Sequence, residues 1–327
     1  MKKVLFATTA LIALGSMAAA DVRLSGYGRF GLDYNDLNDD NYDNGTNASY
    51  NGVSTTNITS RLRLQVDMSA ETDGGVGFNA RFRAQAESRD NNPGGATFNG
   101  ARFGVTYGGL SVNVGNIIGA VENAPGLYTT GTRSAGTGID GMGFNSIVLG
   151  NGFNWDAYSS SGVGANGIEA LYTVGGFTGH ISYSQDNDVT TGATPPLTFV
   201  SKGEDRLGLM ATYSFGDYYV TGAYQDSKNG PTSTDGSELN DLGFFAAGGD
   251  WGQFGAKIAY GQSKAVKAWS LEGNVDIGAA SNVLLWVKND DNQNKFSGGN
   301  RLGTDGVSWG INYQYDLGGG TTFVAGY

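Results

Sequence analysis

The stretch TSRLRLQVDMS, residues 59–69, alternates between polar and apolar side chains almost without interruption. The stretch NARFRAQAE, residues 79–87, repeats the alternation a short distance further on. A period of two residues is typical of a β-strand whose two faces meet different surroundings. The two stretches therefore predict neighbouring strands with four arginines on one polar face: Arg61, Arg63, Arg81 and Arg83. Like charges that face each other destabilise a sheet, so these arginines need an explanation.

The same alternation continues along most of the chain, from residues 22–35 to residues 321–327, and predicts about fifteen strands. The connections between them alternate in length. Glycine-rich turns such as 108–109 are followed by long polar segments such as 36–57. Tight turns at one end and long loops at the other predict an antiparallel up-and-down meander.

The apolar parity of these strands is rich in Phe, Tyr, Trp, Val and Leu, and the other parity is polar. A soluble β-sandwich would expose a polar outer face, whereas a membrane barrel alternates lipid-facing and lumen-facing residues. We therefore predict an all-β fold, a transmembrane antiparallel up-and-down β-barrel, with a secreted sandwich or solenoid as the alternative. Bacterial barrels of one chain carry an even number of strands. The count of fifteen therefore predicts either that one strand escapes the count or that the last strand of a sixteen-stranded type is missing from this sequence.

Residues 1–20 combine two lysines, a short apolar run and the small-residue pattern of a signal-peptidase site ending at Ala20. We expect a cleaved signal peptide and a barrel domain over 21–327; a short membrane anchor is the alternative. Without the two leader lysines, 18 basic side chains stand against 31 acidic ones, a net charge of −13. Such an acidic chain argues against a nucleic-acid partner. The chain has no cysteine, which excludes disulfides and thiolate metal sites.

Three blocks of the sequence, DVRLSGYGRFGLDYN, SRLRLQVDMSAETDGGVGFNARFRAQAE and INYQYDLGGGTTFVAGY, resemble the general porins of alphaproteobacteria, the Rhodobacter-type porins. The resemblance spans the mature chain, although outside these blocks it is mainly one of pattern. It implies a sixteen-stranded homotrimeric barrel in the bacterial outer membrane, in contact with lipid and lipopolysaccharide. It also implies a third external loop folded into the pore and passage of small hydrophilic solutes and ions. In that family a further strand, a loop and the final strand follow the YDLGGG turn, and this sequence departs from the pattern there.

We predict a charged eyelet, a narrow part of the pore, with a basic and an acidic side. The basic side consists of seven arginines on the lumen parity: Arg23, Arg29, Arg61, Arg63, Arg81, Arg83 and Arg102. The long segment 117–163 would supply the acidic side as the third external loop, because loops of that length are often functional. Its predicted acidic residues are Glu122, Asp140 and Asp156. The alternatives are an exposed loop or trimer contact, and arginines that water screens from one another.

Other candidate sites are weaker. The acidic loop near the N-terminus could offer oxygen ligands to Ca²⁺ from four residues, although it lacks the spacing of an EF-hand: Asp36, Asp39, Asp40 and Asp43. His180 is the only histidine, so a multi-histidine metal site cannot form, and we expect no histidine-dependent catalytic triad. We expect the His180 side chain to be hydrated in the lumen. The sequence predicts a general diffusion channel that needs no cofactor and is not an enzyme. A solute-selective channel or a surface adhesin on the same barrel is the alternative.

Overall fold

The computed structural model describes residues 21–36, 38–41, 50–88, 93–128, 153–191, 198–232, 239–292 and 306–327. These residues form eighteen β-strands: β1 Asp21–Tyr34, β2 Thr56–Glu71, β3 Gly77–Ser88, β4 Thr97–Phe98, β5 Arg102–Tyr107, β6 Leu110–Asn116, β7 Asn166–Val174, β8 Phe177–Gln185, β9 Val189–Thr191, β10 Thr198–Ser201, β11 Asp205–Phe215, β12 Tyr218–Lys228, β13 Leu242–Trp251, β14 Phe254–Ser263, β15 Val266–Ile277, β16 Ser281–Asn292, β17 Gly306–Gly318 and β18 Thr321–Gly326. Within the described ranges, no helix is long and apolar enough to cross a lipid bilayer.

Sixteen of the strands form one antiparallel sheet. Fifteen follow one another in chain order from β1 to β18, and the short β4 pairs with β3. This confirms the up-and-down meander and the count of fifteen long strands. Among the described strands, no hydrogen-bonded pairing joins β1 to β18, so the sheet is an open barrel.

The two faces of the sheet differ as the alternation predicts. Phe30 and Leu32 are 89% and 75% exposed, and Ile58 and Leu62, which pair across from Leu32 and Gly28, are both 67% exposed. The opposite parity turns inward and carries polar side chains that are largely buried. In water so much exposed apolar surface would be unfavourable, whereas hydrocarbon tails are its natural solvent.

The end of the barrel with the tight turns carries stacked aromatic side chains on the outer face. The ring of Phe215 lies 6.0 Å from that of Tyr213 and 5.8 Å from that of Tyr218. Gly108 and Gly109 link β5 to β6 with φ values of 54° and 87°, which a two-residue type I′ hairpin requires and which side chains disfavour. Aromatic rings beside short turns are typical of the interfacial girdle of a membrane barrel.

Two features differ from the predicted strands. The alternation of residues 98–107 predicts one continuous strand, but this strand is interrupted between β4 and β5, where Gly100 N–H donates to the Gly162 carbonyl at 2.9 Å. The long loop thus takes over hydrogen bonds that a continuous strand would use. The long polar connection after β8, which shows no strand alternation in the sequence, contains the separate hairpin β9–β10.

Candidate functional site

The long loop after β6 lies on the inward face of the sheet. Its outgoing limb, residues 117–128, buries Val121 and Leu127 almost completely. They belong to one apolar cluster with inward-facing side chains of five strands: Met210, Ala223, Leu242, Phe244, Ala246, Ala259, Val266 and Ala268. Full burial of a side chain of this size contributes about 1.5–3 kcal/mol, so the packing is a substantial part of what holds the limb inside.

Polar contacts fix the same limb and the start of the returning one, residues 153–163. The anchoring bonds run from Ala120 N to Ser182 Oγ at 2.9 Å, from Gln225 Nε2 to the Asn154 carbonyl at 2.7 Å, and from Lys257 Nζ to the Tyr128 carbonyl. The donors and acceptors on the sheet belong to β8, β12 and β14. One loop therefore touches widely separated strands, which requires the sheet to curve around it.

The returning limb of the loop contacts the inward-facing arginines of β3 and β5. The ring of Tyr158 lies 4.7 Å from the guanidinium carbon of Arg83 and 5.7 Å from that of Arg102. Ser160 Oγ accepts a hydrogen bond from Arg83 Nη1 at 3.1 Å. A cation over an aromatic face contributes about 0.5–2 kcal/mol, so the tyrosine holds both guanidiniums beside the loop.

The register of β2 and β3 explains how four arginines share one face. Each inward-facing cross-strand pair joins one guanidinium to one acceptor: Arg61 with Glu87, Arg63 with Gln85, Gln65 with Arg83, and Asp67 with Arg81. The two side chains of each pair are hydrogen-bonded. Arg63 Nε donates to Gln85 Oε1 at 2.8 Å. Arg83 Nε donates to Gln65 Oε1, and Arg81 Nε to Asp67 Oδ1, both at 2.6 Å. Arg63 thus lies diagonal to Arg83 and two inward positions away from Arg81.

Two pairs of arginines do face each other directly, and carboxylates compensate them. Arg29 lies opposite Arg61, and both donate to Glu87 Oε1, Arg29 from 3.1 Å. Arg81 lies opposite Arg102. The register shows that the counter-charges of these arginines lie on the same strands. We call the seven inward-facing arginines of these strands the arginine wall: Arg23, Arg29, Arg61, Arg63, Arg81, Arg83 and Arg102.

Glu169 on β7 joins the arginine wall to the base of the loop. Its carboxylate accepts hydrogen bonds from the N–H groups of Ile118 and Gly119, both at 3.0 Å, and lies 3.5 Å from Arg102 Nη1. His180 Nε2 lies 3.3 Å from the same carboxylate, with its side chain fully buried. The prediction of a hydrated His180 is wrong, because the loop covers this part of the inward face.

The two acidic residues of the loop that the structure describes, Glu122 and Asp156, have partners other than the arginine wall. Glu122 Oε2 accepts hydrogen bonds from the Tyr128 hydroxyl at 2.6 Å and from Trp155 Nε1 at 2.8 Å. Asp156 pairs with Arg206 on β11 at 3.1 Å, and burial raises the pKa of its carboxyl in spite of that arginine. Asp140 lies outside the described residues. The two described carboxylates thus stabilise the loop's own position inside the barrel.

We expect Glu122→Gln to stabilise the protein at neutral pH. Burial raises the pKa of Glu122 above its ordinary value, although the bonds from Tyr128 and Trp155 oppose the change. The native state therefore binds the proton more tightly, and the cost of the charge grows as pH rises from about 4.5 through the raised pKa. Each unit of difference corresponds to about 1.4 kcal/mol. Glutamine keeps an oxygen acceptor and removes this cost.

Thermal unfolding between pH 4 and pH 8, followed by circular dichroism, checks this prediction. The unfolding temperature of Glu122→Gln should exceed that of the wild type at pH 8, and the difference between the two temperatures should shrink towards pH 4. Glu71→Gln, at an exposed position at the end of β2, is the control and should leave the profile unchanged. A constant difference between the variant and the wild type across the range would contradict the prediction.

Of the four residues predicted as a weak calcium site, Asp36, Asp39 and Asp40 are described and Asp43 is not. Asp39 Oδ1 accepts a hydrogen bond from Asn41 N–H at 2.9 Å, which closes a local turn. No group of three or more acidic or histidine side chains arranged for a metal ion occurs within the described ranges. Calcium binding by this loop stays a prediction.

Comparison with known proteins places this arrangement in a family. The Gram-negative porin family model matches residues 7–327. The porin of Fuscovulum blasticum is 29% identical over 308 residues, which cover 91% of this chain and 90% of that protein. The matched region therefore includes all the described strands.

Solved structures give the same result. A triple mutant of the Rhodopseudomonas blastica porin superposes with a TM-score of 0.67 at 25% identity, covering 93% of each chain. A double mutant of that porin does so with a TM-score of 0.67 at 26% identity, again over 93% of each chain. With its outward apolar belt, polar inward face and inserted loop, the chain belongs to the Gram-negative porin family.

Proposed function

We propose that this porin is a general diffusion channel, a water-filled outer-membrane pore for small hydrophilic solutes and ions. The observation that carries the proposal is the inward face, where charged, amide and hydroxyl side chains line β1 to β5 while the outward face is apolar. Such a lumen holds water and carries solutes by diffusion, without covalent chemistry.

The arginine wall and the long loop would form the eyelet of this channel. Between the levels of Arg29 and Arg23, strands β1, β2, β3 and β5 turn seven guanidiniums and two carboxylates, Asp67 and Glu87, inward. This surplus of five positive charges stands beside Tyr158, with the loop's apolar limb held on the far side. A fixed field of this kind orders water, attracts anions and disfavours bulky apolar solutes.

Export and assembly follow from the same proposal. Cleavage after Ala20 would leave Asp21 as the first residue, and a homotrimer would bury part of the apolar belt that otherwise meets lipid and lipopolysaccharide. N-terminal sequencing of protein from outer membranes checks the first statement. Chemical cross-linking in detergent checks the second, and a product no larger than a monomer would contradict it.

The experiment that tests the channel is planar-bilayer conductance of the full chain in simple potassium chloride. We expect stepwise current increases that are proportional to voltage, because a wet lumen of fixed charges has no gate to open. Detergent extract of cells that lack the protein is the control. A correctly folded protein that gives no steps would overturn the proposal.

A further inference from the structure

The inward face has a half-open cavity of about 420 Å³ near the tight turns, beside the last level of the arginine wall. Its charged lining consists of three guanidiniums and two carboxylates: Arg23, Arg81, Arg102, Asp21 and Asp67. The three arginines come from three different strands, β1, β3 and β5, so the register alone brings them together. Glu169 pairs with Arg102 outside the lining, so Arg23 and Arg81 are the cationic groups that the cavity offers beside Asp21 and Asp67.

Arg81 presents the most accessible guanidinium among the wall arginines that form salt bridges. Its side chain is 31% exposed, compared with 12% for Arg102 and 14% for Arg61. Its Nε donates to Asp67 at 2.6 Å, which orients the plane of the group. A guanidinium held at Nε can turn its terminal nitrogens to the cavity, and this fork matches two oxygens of one oxyanion.

Neutral hydrogen-bonding groups complete the lining. The amide side chains of Asn79 and Asn113 reach the cavity from β3 and β6. Gly104 lies between them in the register, and a Cβ there would overlap both amides. The glycine therefore gives the amides room beside the arginines. Donors of several geometries around one small space suit an ion with several acceptor oxygens better than they suit chloride.

We propose that this cavity is a low-affinity binding site for a small oxyanion, with inorganic phosphate as its chemical type. Tight turns lie at the periplasmic end of outer-membrane barrels, so the site would be at the periplasmic mouth. This binding site rests on the proposed channel function and adds a saturable step to it. Phosphate binds transiently at the mouth of the channel, whereas chloride passes without binding there. The arginines nearer the loop attract anions generally, and the cavity distinguishes among them.

The test measures chloride current through single channels in a planar bilayer while phosphate is added at constant ionic strength. We expect a saturating decrease of the chloride current, stronger when phosphate is added on the side of the tight turns. Arg81→Gln should raise the half-saturating phosphate concentration about tenfold, the loss expected from one charge-assisted hydrogen bond. Gly104→Ala should raise it as well without changing any charge.

Two controls separate the site from general electrostatics. Arg63→Gln removes the same charge four residues above the level of Arg81, and Lys228→Gln removes one at an exposed strand end. Both should leave the half-saturating concentration within about twofold, since neither residue touches the cavity. Equal weakening by Arg63→Gln, or an equal effect of bromide, which has no acceptor oxygens, at the same concentration, would overturn the inference. Channels whose chloride current is unaffected by phosphate would overturn the phosphate site but not the proposed channel function. Absence of conductance would overturn the proposed function.

Discussion

Replacing four arginines of the wall by glutamine is expected to shift the ion preference of the channel towards cations by roughly tenfold at low salt. The variant is Arg61→Gln, Arg63→Gln, Arg81→Gln and Arg83→Gln. Seven guanidiniums against two carboxylates become three against two, so almost all of the surplus charge disappears. Two unit charges 4 Å apart in water interact by about 1 kcal/mol, and four charges spread along one wall add to a comparable or larger sum.

The measurement is the reversal potential across a tenfold gradient of potassium chloride. The matched control removes four positive charges from exposed positions in loops and at strand ends: Lys202→Gln, Lys228→Gln, Lys264→Gln and Lys267→Gln. It changes the net charge equally and should leave the reversal potential near that of the wild type. The difference between the two variants should fall as salt rises, because salt screens fixed charge. Equal shifts in both would remove the arginine wall from the selectivity of the channel.

The sequence contains the information for the register of the arginine wall, although the alternation alone does not reveal it. The inward residues of β2 run Arg, Arg, Gln, Asp and those of β3 run Arg, Arg, Gln, Glu. In the observed register of β2 and β3, every arginine of one strand meets an amide or a carboxylate of the other. A slip by two residues would place Arg63 opposite Arg83. Electrostatics thus selects the pairing, and the explanation for the shared face lies within the two strands.

The partners of the long loop could not be predicted in this way. Strands have a period of two, so parity assigns each side chain to a face. The loop has no period, and its carboxylates could be placed only by their charge. Glu122 instead meets Tyr128 and Trp155 of the same loop, and Asp156 meets Arg206. Burial of the loop against an apolar patch decided these contacts.

His180 and Glu169 show the limit of parity most directly. Parity assigns both to the polar face, and both side chains are inward and buried. Parity does not indicate whether an inward residue meets water or a loop. Glu169 is 1% exposed because Ile118 and Gly119 cover it with their N–H groups. The sequence signal for this contact is a carboxylate on β7, beside the glycine-containing base of the loop, and such a carboxylate can anchor the loop by accepting its N–H groups.

Glu169→Gln is expected to loosen the base of the loop and to lower the stability of the protein by about 3 kcal/mol, the scale for breaking a buried charged network. One carboxylate oxygen accepts from Ile118 and Gly119, and the other accepts from Asn113 Nδ2 at 3.0 Å and Arg102 Nη1 at 3.5 Å. A glutamine presents an NH₂ group to one of these two sets of donors. Buried donors then face a donor, and the base of the loop moves away from β7.

A loosened loop should widen the lumen, so we expect a larger single-channel conductance and faster uptake of sugars near the size limit into liposomes. Glu87→Gln is the matched control, because Glu87 is also an inward-facing carboxylate paired with arginine but bonds to Arg29 and Arg61 rather than to the loop. It should lower the unfolding temperature while leaving the size limit unchanged. If Glu169→Gln lowered stability and left conductance and sugar uptake as in the control, Glu169 would stabilise the sheet without anchoring the loop. A wider pore in Glu169→Gln alone ties the size limit of the channel to a single carboxylate at the base of the loop.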